Sequence, residues 1–316
     1  MTRYIDVADM QQLVLRHGLA NLMTEMADYI RRDFVRCGDS DGTVRSAIGF
    51  GASVGVLADV ATGHPALVSE LTITTALRTA ATSALAAKVL ARRNSRSMAL
   101  IGNGAQSEFQ AIAFMGQLRI TELRVFDVDR KATDKLVSNL TPYVQQGALR
   151  IVRAASIREA VRGADIVTTV TADRAHATIL TDDLVEPGMH INAVGADCLG
   201  KTELQPSILL RSKVFVENEP QTRLKGELQQ MPDYFQPHAL WRVLAGQQTG
   251  RDNAEQVTLF DSVGCALEDA SALRYIHALS HKLGVGSTVD LVPMLRDPKN
   301  LFAFATAARP ALRQAA

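Results

Sequence analysis

The sequence predicts an α/β fold: a doubly wound parallel sheet of the Rossmann type, plus a second domain built from both chain ends. From about residue 97, short apolar runs alternate with segments of helical periodicity, which is typical of a parallel sheet covered by helices. The first of these runs leads directly into a glycine turn and then a helix. Residues 1–94 and 265–316 are mainly helical in pattern and form the predicted second domain, while residues 95–264 form the first.

The N-terminal part is predicted to begin with a helix, because apolar residues recur at helical spacing between Leu13 and Ile30. A turn-rich break follows at 37–43, then a strand within 49–60 and a turn at 62–65. The Ala/Thr-rich stretch 69–90 is predicted to be a long helix.

The sheet strands are predicted from short apolar runs, with helices at 106–115 and 132–144 and a last helix running from Gly264 through Leu279. The predicted strands are 98–101, 123–126, 149–152, 166–169, 190–194, 214–216 and 257–260.

Composition and charge exclude several classes of protein. Hydrophobic residues make up 47% and charged residues 21% of the 316, which is ordinary globular composition. The net charge is +1, so no long-range field favours nucleic acid or a membrane surface. We find neither a secretory signal nor an apolar run of about 18 residues or more that would span a bilayer.

Cysteine and histidine usage indicates a cytoplasmic protein without a metal. Cys37, Cys198 and Cys265 are far apart and odd in number, which is typical of reduced thiols. The seven histidines show no ligand spacing, so we expect no metal site.

The glycine turn predicts a dinucleotide site. Gly102 permits the tight turn, Gly104 lets the backbone approach a pyrophosphate at the helix N-terminus, and Ser107 replaces the usual third glycine. The next strand ends at Asp127, whose carboxylate can accept hydrogen bonds from ribose hydroxyls and repels a 2′-phosphate. This favours NAD over NADP, although basic residues lie nearby: Arg124, Arg130 and Lys131. The alternative is a glycine turn in an α/β fold that binds no nucleotide.

Arg78 is the only charged residue between Glu70 and Lys88. A buried guanidinium must be paired, and it suits binding of a carboxylate or phosphate. The alternative is an arginine that faces solvent from an apolar helix.

Asp197 follows the strand at 190–194, and ligands of doubly wound sheets bind beyond the carboxyl ends of strands. It is therefore a candidate acid or base, and the alternative is a helix N-cap. Lys201 in the same loop could contact the cofactor or be solvated. Thr171 ends another strand and Ser262 follows the last one; they could bond the cofactor or serve as a strand residue and a cap.

At these residues the chain resembles the ornithine cyclodeaminase and mu-crystallin family, over roughly residues 55–305. The segments that carry the resemblance are Leu71-Thr-Ile-Thr-Thr-Ala-Leu-Arg-Thr-Ala-Ala-Thr, Met98-Ala-Leu-Ile-Gly-Asn-Gly-Ala-Gln-Ser-Glu-Phe-Gln, His190-Ile-Asn-Ala-Val-Gly-Ala-Asp and Thr258-Leu-Phe-Asp-Ser-Val-Gly. Pro220-Gln-Thr-Arg-Leu-Lys-Gly-Glu is similar to the bacterial ornithine cyclodeaminase branch in particular.

The resemblance implies an NAD domain, a split domain that binds an amino-acid substrate and forms a homodimer, and a role for each site residue. It implies that Arg78 holds the substrate carboxylate, that Val263 lies beside substrate, and that Asp197 is the acid/base. The residues predicted at the cofactor are Gly102, Gly104, Ala105, Gln106, Asp127, Thr171, Asn192, Val194, Lys201 and Ser262.

The activity that the resemblance implies is conversion of L-ornithine to L-proline and ammonia, with bound NAD taking up and returning a hydride. A second hypothesis is an imine reductase or amino-acid dehydrogenase of the same family, which would consume NADH or NAD. A third is a non-catalytic, cofactor-binding member, against which the retained Arg78 and Asp197 argue.

The chain departs from the family upstream of Gly55. Between Phe34 and Gly55 about thirty residues that other members carry are missing, including an arginine and a lysine that grip the substrate carboxylate. Arg36 and Arg45 have no matching context there. The hypotheses are lost activity, a changed substrate, or a pocket rebuilt around Arg45.

Overall fold

The computed structural model describes residues 1–38, 54–172, 177–295 and 297–306. Most of the predicted turn at 37–43, the start of the strand predicted within 49–60, and Arg45 lie outside these residues.

The described residues form twelve strands and eleven helices. The strands are β1 (Thr2–Ile5), β2 (Val54–Ala58), β3 (Pro65–Glu70), β4 (Ser97–Ile101), β5 (Glu122–Phe126), β6 (Arg150–Arg153), β7 (Ile166–Thr169), β8 (His190–Ala193), β9 (Lys213–Val216), β10 (His238–Ala239), β11 (Thr258–Asp261) and β12 (Ser287–Val289). The helices are α1 (Val7–His17), α2 (Leu19–Cys37), α3 (Thr72–Leu90), α4 (Ser107–Leu118), α5 (Arg130–Gln145), α6 (Ile157–Val161), α7 (Pro206–Arg211), α8 (Glu219–Lys225), α9 (Leu240–Leu244), α10 (Ala266–Leu283) and α11 (Leu301–Thr306).

The larger sheet has eight parallel strands in the order β10-β9-β11-β8-β7-β4-β5-β6. The order runs outward from β4 in both directions, so the sheet is doubly wound, as the sequence predicts. Ile101 lies opposite Phe126 and Thr169, and Asp261 lies opposite Ala193 and Val216. The strands therefore end together, and the loops that follow them share one edge.

The smaller sheet has four strands in the order β12-β1-β3-β2. β1 pairs in parallel with β3, while β12 and β2 are antiparallel neighbours. Its strands come from both ends of the described chain. The sequence pattern does not predict β1, β3 or β12, which are only three to six residues long.

Two predicted helix boundaries are wrong. The helix predicted from Ser69 begins at Thr72, because residues 65–70 pair as β3; the Glu70 carboxylate then accepts the amides of Ile73 and Thr74 at 2.8 and 3.0 Å. The single helix predicted through Leu13 and Ile30 is two helices, divided at Gly18, where φ is +84°.

Helices α2, α3, α4 and α10 pack together over one face of the larger sheet. Helix α3 is buried along most of its length, and its many alanines let the neighbouring helices approach closely. A second apolar cluster covers the other face of the sheet. None of the described helices is both long and apolar enough to cross a bilayer.

Candidate active site

The turn between β4 and α4 is shaped by Gly102. Its φ is +94°, and a Cβ there would lie 2.8 Å from the carbonyl oxygen of Val170, just beyond β7. Glycine meets both conditions without strain, since it has no Cβ. The turn thereby places the N-terminus of α4 beside the carboxyl end of β7.

The N-terminus of α4 is open to an anionic group. A Cβ on Gly104 would meet no atom within 4 Å. Within the described residues, the amides of Gly104, Ala105 and Gln106 donate to no protein acceptor. Gln106 Oε1 is buried without a hydrogen-bond partner in the same part of the chain. Free amides at a helix N-terminus favour phosphate oxygens, so these residues fit a dinucleotide pyrophosphate.

Asp127 follows β5 and is fixed beside the glycine turn. Its carboxylate accepts the amide of Asn103 at 2.5 Å and that of Asp129 at 2.8 Å. Two bonds leave lone pairs that can accept from a pair of hydroxyls. The Arg124 side chain does not compete for these lone pairs, because it donates to Glu122 at 2.6 Å and to a backbone carbonyl instead.

A cavity of about 590 Å³ opens at the carboxyl ends of β4, β7 and β8. Three separate loops form its walls, and seven of the predicted cofactor and catalytic residues line it. The lining residues are Gly104, Ala105, Gln106, Val170, Thr171, Ala172, Val194, Gly195, Asp197, Cys198 and Lys201.

Asp197 and Lys201 form an ion pair in the wall of this cavity. The Lys201 ammonium is buried and donates to Asp197 Oδ1 at 3.2 Å and to the Thr171 carbonyl at 3.0 Å. The Asp197 side chain is 66% exposed, so its carboxylate is accessible. Lys201 is therefore not a solvated surface residue. Asp197 is not an N-cap either, because α7 begins only at Pro206.

Arg78 is buried, which excludes the solvent-facing alternative. Its side chain is 12% exposed; Nε donates to Asp269 at 2.9 Å and Nη1 to Glu268 at 3.1 Å. A Cβ on Gly264 would lie 2.5 Å from Arg78 Nη1, so the guanidinium lies against the loop between β11 and α10. This is the loop that carries Val263.

Glu217 holds that loop in place. Its buried carboxylate accepts the Ser262 hydroxyl at 2.6 Å and the amides of Val263 and Gly264 at 3.1 Å each. Ser262 is thus not a helix cap, and the N-cap position of α10 is Cys265. Ser262, Val263 and Arg78 form a second group that does not line the 590 Å³ cavity.

The two groups are neighbours on the same edge of the sheet. The Ser262 amide donates to the Ala193 carbonyl at 2.9 Å, and Ala193 directly precedes Val194 of the cavity wall. The candidate site therefore has a cofactor side, defined by the cavity, and an adjoining side with Arg78.

The acids around Arg78 have shifted pKa values. Burial raises the pKa of Glu268 well above its usual range, and the charge of Glu217 raises it further, while Arg78 opposes this. Burial also raises the pKa of Glu217, against hydrogen bonds from Ser262 and neighbouring groups. These acids retain protons to higher pH than ordinary carboxyls, which lowers the negative charge around the guanidinium.

Asn192 is not at the cavity. It is fully buried within β8, where Nδ2 donates to Thr168 Oγ1 at 3.4 Å and Oδ1 is 3.3 Å from His190 Nε2. This placement gives no support to the predicted cofactor contact of its side chain. Arg36 pairs with Asp33 at 3.1 Å, and its side chain is largely exposed. Among the described residues no cluster of His, Cys, Asp and Glu could hold a metal ion.

Sequence reasoning missed three buried carboxylates beside the cavity. Glu203, Glu227 and Asp261 are at most 1% exposed, and each accepts two backbone amides. Burial raises the pKa of Asp261 to about 7, even though two amides oppose the shift. One signal was available, because Asp261 directly follows the apolar run at 257–260.

Comparisons with known proteins identify the family of this chain. The family model described as "Ornithine cyclodeaminase/mu-crystallin family" matches residues 40–282. An ornithine cyclodeaminase of Brucella abortus is 46% identical over 333 aligned positions, which cover 95% of this chain and 92% of that protein. A solved archaeal alanine dehydrogenase dimer with bound NAD superposes with a TM-score of 0.78 at 26% identity, covering 92% of this chain and 99% of that one. A solved lysine cyclodeaminase, described as recognising L-lysine, L-ornithine and L-2,4-diaminobutyric acid, superposes with the same TM-score at 25% identity and covers 92% and 96%. This chain belongs to the ornithine cyclodeaminase/mu-crystallin family.

Proposed function

We propose that this protein is an ornithine cyclodeaminase that converts L-ornithine to L-proline and ammonia with NAD as a regenerated cofactor. The observation that carries the proposal is the Asp197–Lys201 pair, which presents an accessible carboxylate in the wall of a cavity that fits a dinucleotide. The 46% identity to the Brucella enzyme over 95% of this chain supports the same activity.

The chain's own residues would hold the cofactor along the carboxyl edge of the sheet. The amides of Ala105 and Gln106 would bind the pyrophosphate, Asp127 the adenine ribose, and Thr171 and Lys201 the end nearer the chemistry. When bound, NAD supplies a reversible hydride acceptor for the α-carbon of the amino acid.

Asp197 would act on the amine of the substrate. The δ-amine of ornithine is protonated at neutral pH and becomes a nucleophile only after it loses a proton. A carboxylate that is exposed to the cavity can accept that proton. Lys201 donates to Asp197 Oδ1 and so fixes the orientation of the carboxylate, which leaves Oδ2 to face the amine.

Arg78 would bind the substrate carboxylate. Two of its nitrogens are bonded to Asp269 and Glu268, while Nη2 donates to no partner among the described residues. The guanidinium is always positively charged, and because burial raises the pKa values of Glu217 and Glu268, these acids neutralise less of that charge toward an added carboxylate.

The segment expected to be missing between Phe34 and Gly55 favours a second candidate, an amino-acid dehydrogenase or imine reductase of the same family. The alignment with the Brucella enzyme spans 333 positions but uses 95% of 316 residues, about 300, so about 33 positions have no counterpart here. The archaeal alanine dehydrogenase shows that the fold also serves a dehydrogenase. Loss of substrate-binding residues would change which amino acid is bound while leaving the cofactor cavity intact.

The test is product formation from L-ornithine by the purified protein with a trace of NAD. We expect proline and ammonia in equal amounts, far exceeding the NAD supplied. Stoichiometric consumption of NAD with another amino acid, or of NADH with a cyclic imine, would instead identify the second candidate. If the protein binds NAD but shows neither of these activities, both candidates are contradicted.

The domain division, assembly and location are parts of the same proposal. The division into residues 95–264 and the two chain ends follows the two sheets. A homodimer is supported by the dimeric archaeal relative. A cytoplasmic location is supported by the unpaired thiols of Cys198 and Cys265.

A further inference from the structure

Buried carboxylates connect the end of β11 to the wall of the cavity through backbone amides. The Asp261 carboxylate accepts the amides of Glu227 and Leu228, both at 2.9 Å. The Glu227 carboxylate in turn accepts the amides of Glu203 and Leu204 at 2.7 and 3.1 Å. We call Asp261, Glu227 and Glu203 the carboxylate relay, because the side chain of each of the first two fixes the backbone of the next.

Glu203 is the member that reaches the cavity wall. Its carboxylate accepts the Thr171 amide at 2.8 Å, the Thr171 hydroxyl at 2.6 Å, the Gly195 amide at 2.9 Å and the Thr169 hydroxyl at 2.6 Å. Thr171 follows β7 and Gly195 follows β8, and both line the cavity. One side chain therefore ties two of the three loops that form the cavity.

The approach of Glu203 to Gly195 is too close for any other residue. A Cβ on Gly195 would lie 2.2 Å from Glu203 Oε1. Without a Cβ, the carboxylate can reach the amide from the side where a side chain would otherwise stand. The bond between Gly195 and Glu203 within this loop therefore requires glycine at position 195.

The arrangement is expensive for the fold. Within the described residues, no arginine, lysine or histidine pairs with Glu203, Glu227 or Asp261 within 4.0 Å. Buried carboxylates without a cation lose their hydration, and burial raises the pKa values of Glu227 and Asp261 accordingly. The bonds that the three carboxylates accept from backbone amides offset this cost and fix the loops in which those amides lie.

Glu203 also reaches the reacting groups indirectly. Lys201 Nζ bonds the carbonyl of Thr171 and the carboxylate of Asp197. The position of Thr171 therefore sets the position of Lys201, and through it the orientation of Asp197.

We propose that Glu203 is a positioning residue for the dinucleotide, which it serves by holding Thr171 and Gly195 in register at the cavity wall, with Glu227 and Asp261 as its anchor. This rests on the proposed function only in that the cavity binds NAD. None of the three carboxylates lines the cavity.

The test is the dissociation constant for NAD of the full chain, measured by titration calorimetry. In Glu203→Gln one amide hydrogen must face a backbone or hydroxyl donor, so we expect NAD to bind about tenfold more weakly or worse.

The matched control is Asp165→Asn, because Asp165 likewise accepts two amides and a hydroxyl, but at the amino end of the same sheet. We expect NAD affinity within about twofold of wild type there. Unchanged NAD affinity in Glu203→Gln, or an equal loss in both variants, would overturn the proposal.

A milder pair of variants covers the case in which Glu203→Gln does not fold. Thr169 donates to Glu203 but does not line the cavity. Thr169→Val removes the hydroxyl and should weaken NAD binding about threefold to tenfold, whereas Thr169→Ser keeps it and should restore wild-type affinity. Equal affinities of the valine and serine variants would contradict the role of Glu203. The readout separates the two proposals, since wild type that binds NAD but forms no proline contradicts only the ornithine activity.

Discussion

At each end of the eight-stranded sheet, a carboxylate accepts hydrogen bonds from neighbouring backbone segments. The two carboxylates differ in their burial and in whether a cation pairs with them. At the amino end Asp165 accepts the amides of Arg96 and Ser97, and Arg92 neutralises it at 2.8 Å. At the carboxyl end Glu203 accepts amides and hydroxyls alone and is 1% exposed. The amino end thus follows the rule for stable folds, in which a partly buried charge is paired. The carboxyl end has no such cation, and the bonds that Glu203 accepts there are the basis of the positioning role that we propose.

Titratable groups at the two ends also differ in the sign of their effect. His190 begins β8 at the amino end; burial, with a contribution from Arg251, lowers its pKa to about 3. Asp261 ends β11 at the carboxyl end, where burial raises its pKa to about 7. Burial therefore favours the neutral form of both residues. The contribution of His190 to stability is lost as pH falls, and that of Asp261 is lost as pH rises.

The largest effect expected from this contrast is on turnover. Asp197→Asn removes the proposed proton acceptor, so kcat for ornithine should fall by about 10²–10⁴-fold while NAD still binds. The matched control is Asp252→Asn, since Asp252 is also half-exposed and pairs with a lysine, Lys213, but at the amino end. We expect it to leave kcat unchanged in the same proline assay. Full activity of Asp197→Asn would contradict the assignment of the acid/base.

The next effect is on substrate affinity. Arg78→Lys keeps the charge but loses the planar fork, so KM for ornithine should rise by about 100-fold, more than kcat falls. Arg92→Lys is the counterpart at the amino end, where the arginine pairs with Asp165, and should leave KM unaltered. Steady-state kinetics, measured well below the unfolding temperature, gives KM for both variants. Similar KM values would contradict the assignment of Arg78 to the substrate carboxylate.

A third prediction uses the pH dependence of unfolding. The folded pKa of Asp261 lies above its unfolded value of 3.8, so its contribution to stability is lost as pH rises from about 4 to 7, by at most about 3 kcal/mol between pH 5 and 7. The folded pKa of His190 lies below 6.5, so its contribution is lost as pH falls, by about 2 kcal/mol between pH 6.5 and 5.

These two slopes nearly cancel in the wild type and separate in variants. Urea unfolding at pH 5 and pH 8 should show Asp261→Asn gaining stability with rising pH relative to wild type, and His190→Gln losing it. The same pH dependence in all three proteins would show that neither group is held neutral by burial.

The smallest expected effect is that of Asp165→Asn on stability alone. It weakens one amide bond and the pair with Arg92, and should lower the free energy of unfolding by about 1–2 kcal/mol. Because the effect stays at the amino end, thermal unfolding should report it while KM and kcat stay at wild-type values. A change in kcat of more than about threefold would show that the two ends are coupled.

Local pattern was enough to predict which loops line the 590 Å³ cavity. The strand, glycine turn and helix at 98–115 lie within one short stretch, and the fold places Gly104, Thr171, Val194 and Asp197 at ends of parallel strands that meet at one edge. The same logic did not place Asn192 at the cavity, since a residue inside a strand can face the interior as readily as the ligand, and its cofactor contact stays a prediction. Local pattern failed for the short strands β1, β3 and β12, which are too brief for a periodic pattern.

The sequence by itself determined the fold class, the dinucleotide turn and the candidate acid/base, because each depends on residues close together in the chain. Only the tertiary structure decided the partners of Arg78, the inward position of Asn192 and the existence of the carboxylate relay. Arg78 meets Asp269 across 191 positions, and Glu203 meets Thr171 across 32. Hydrogen bonds over such separations leave no periodic trace, since a buried carboxylate is identified by the amides that surround it and not by its neighbours in sequence.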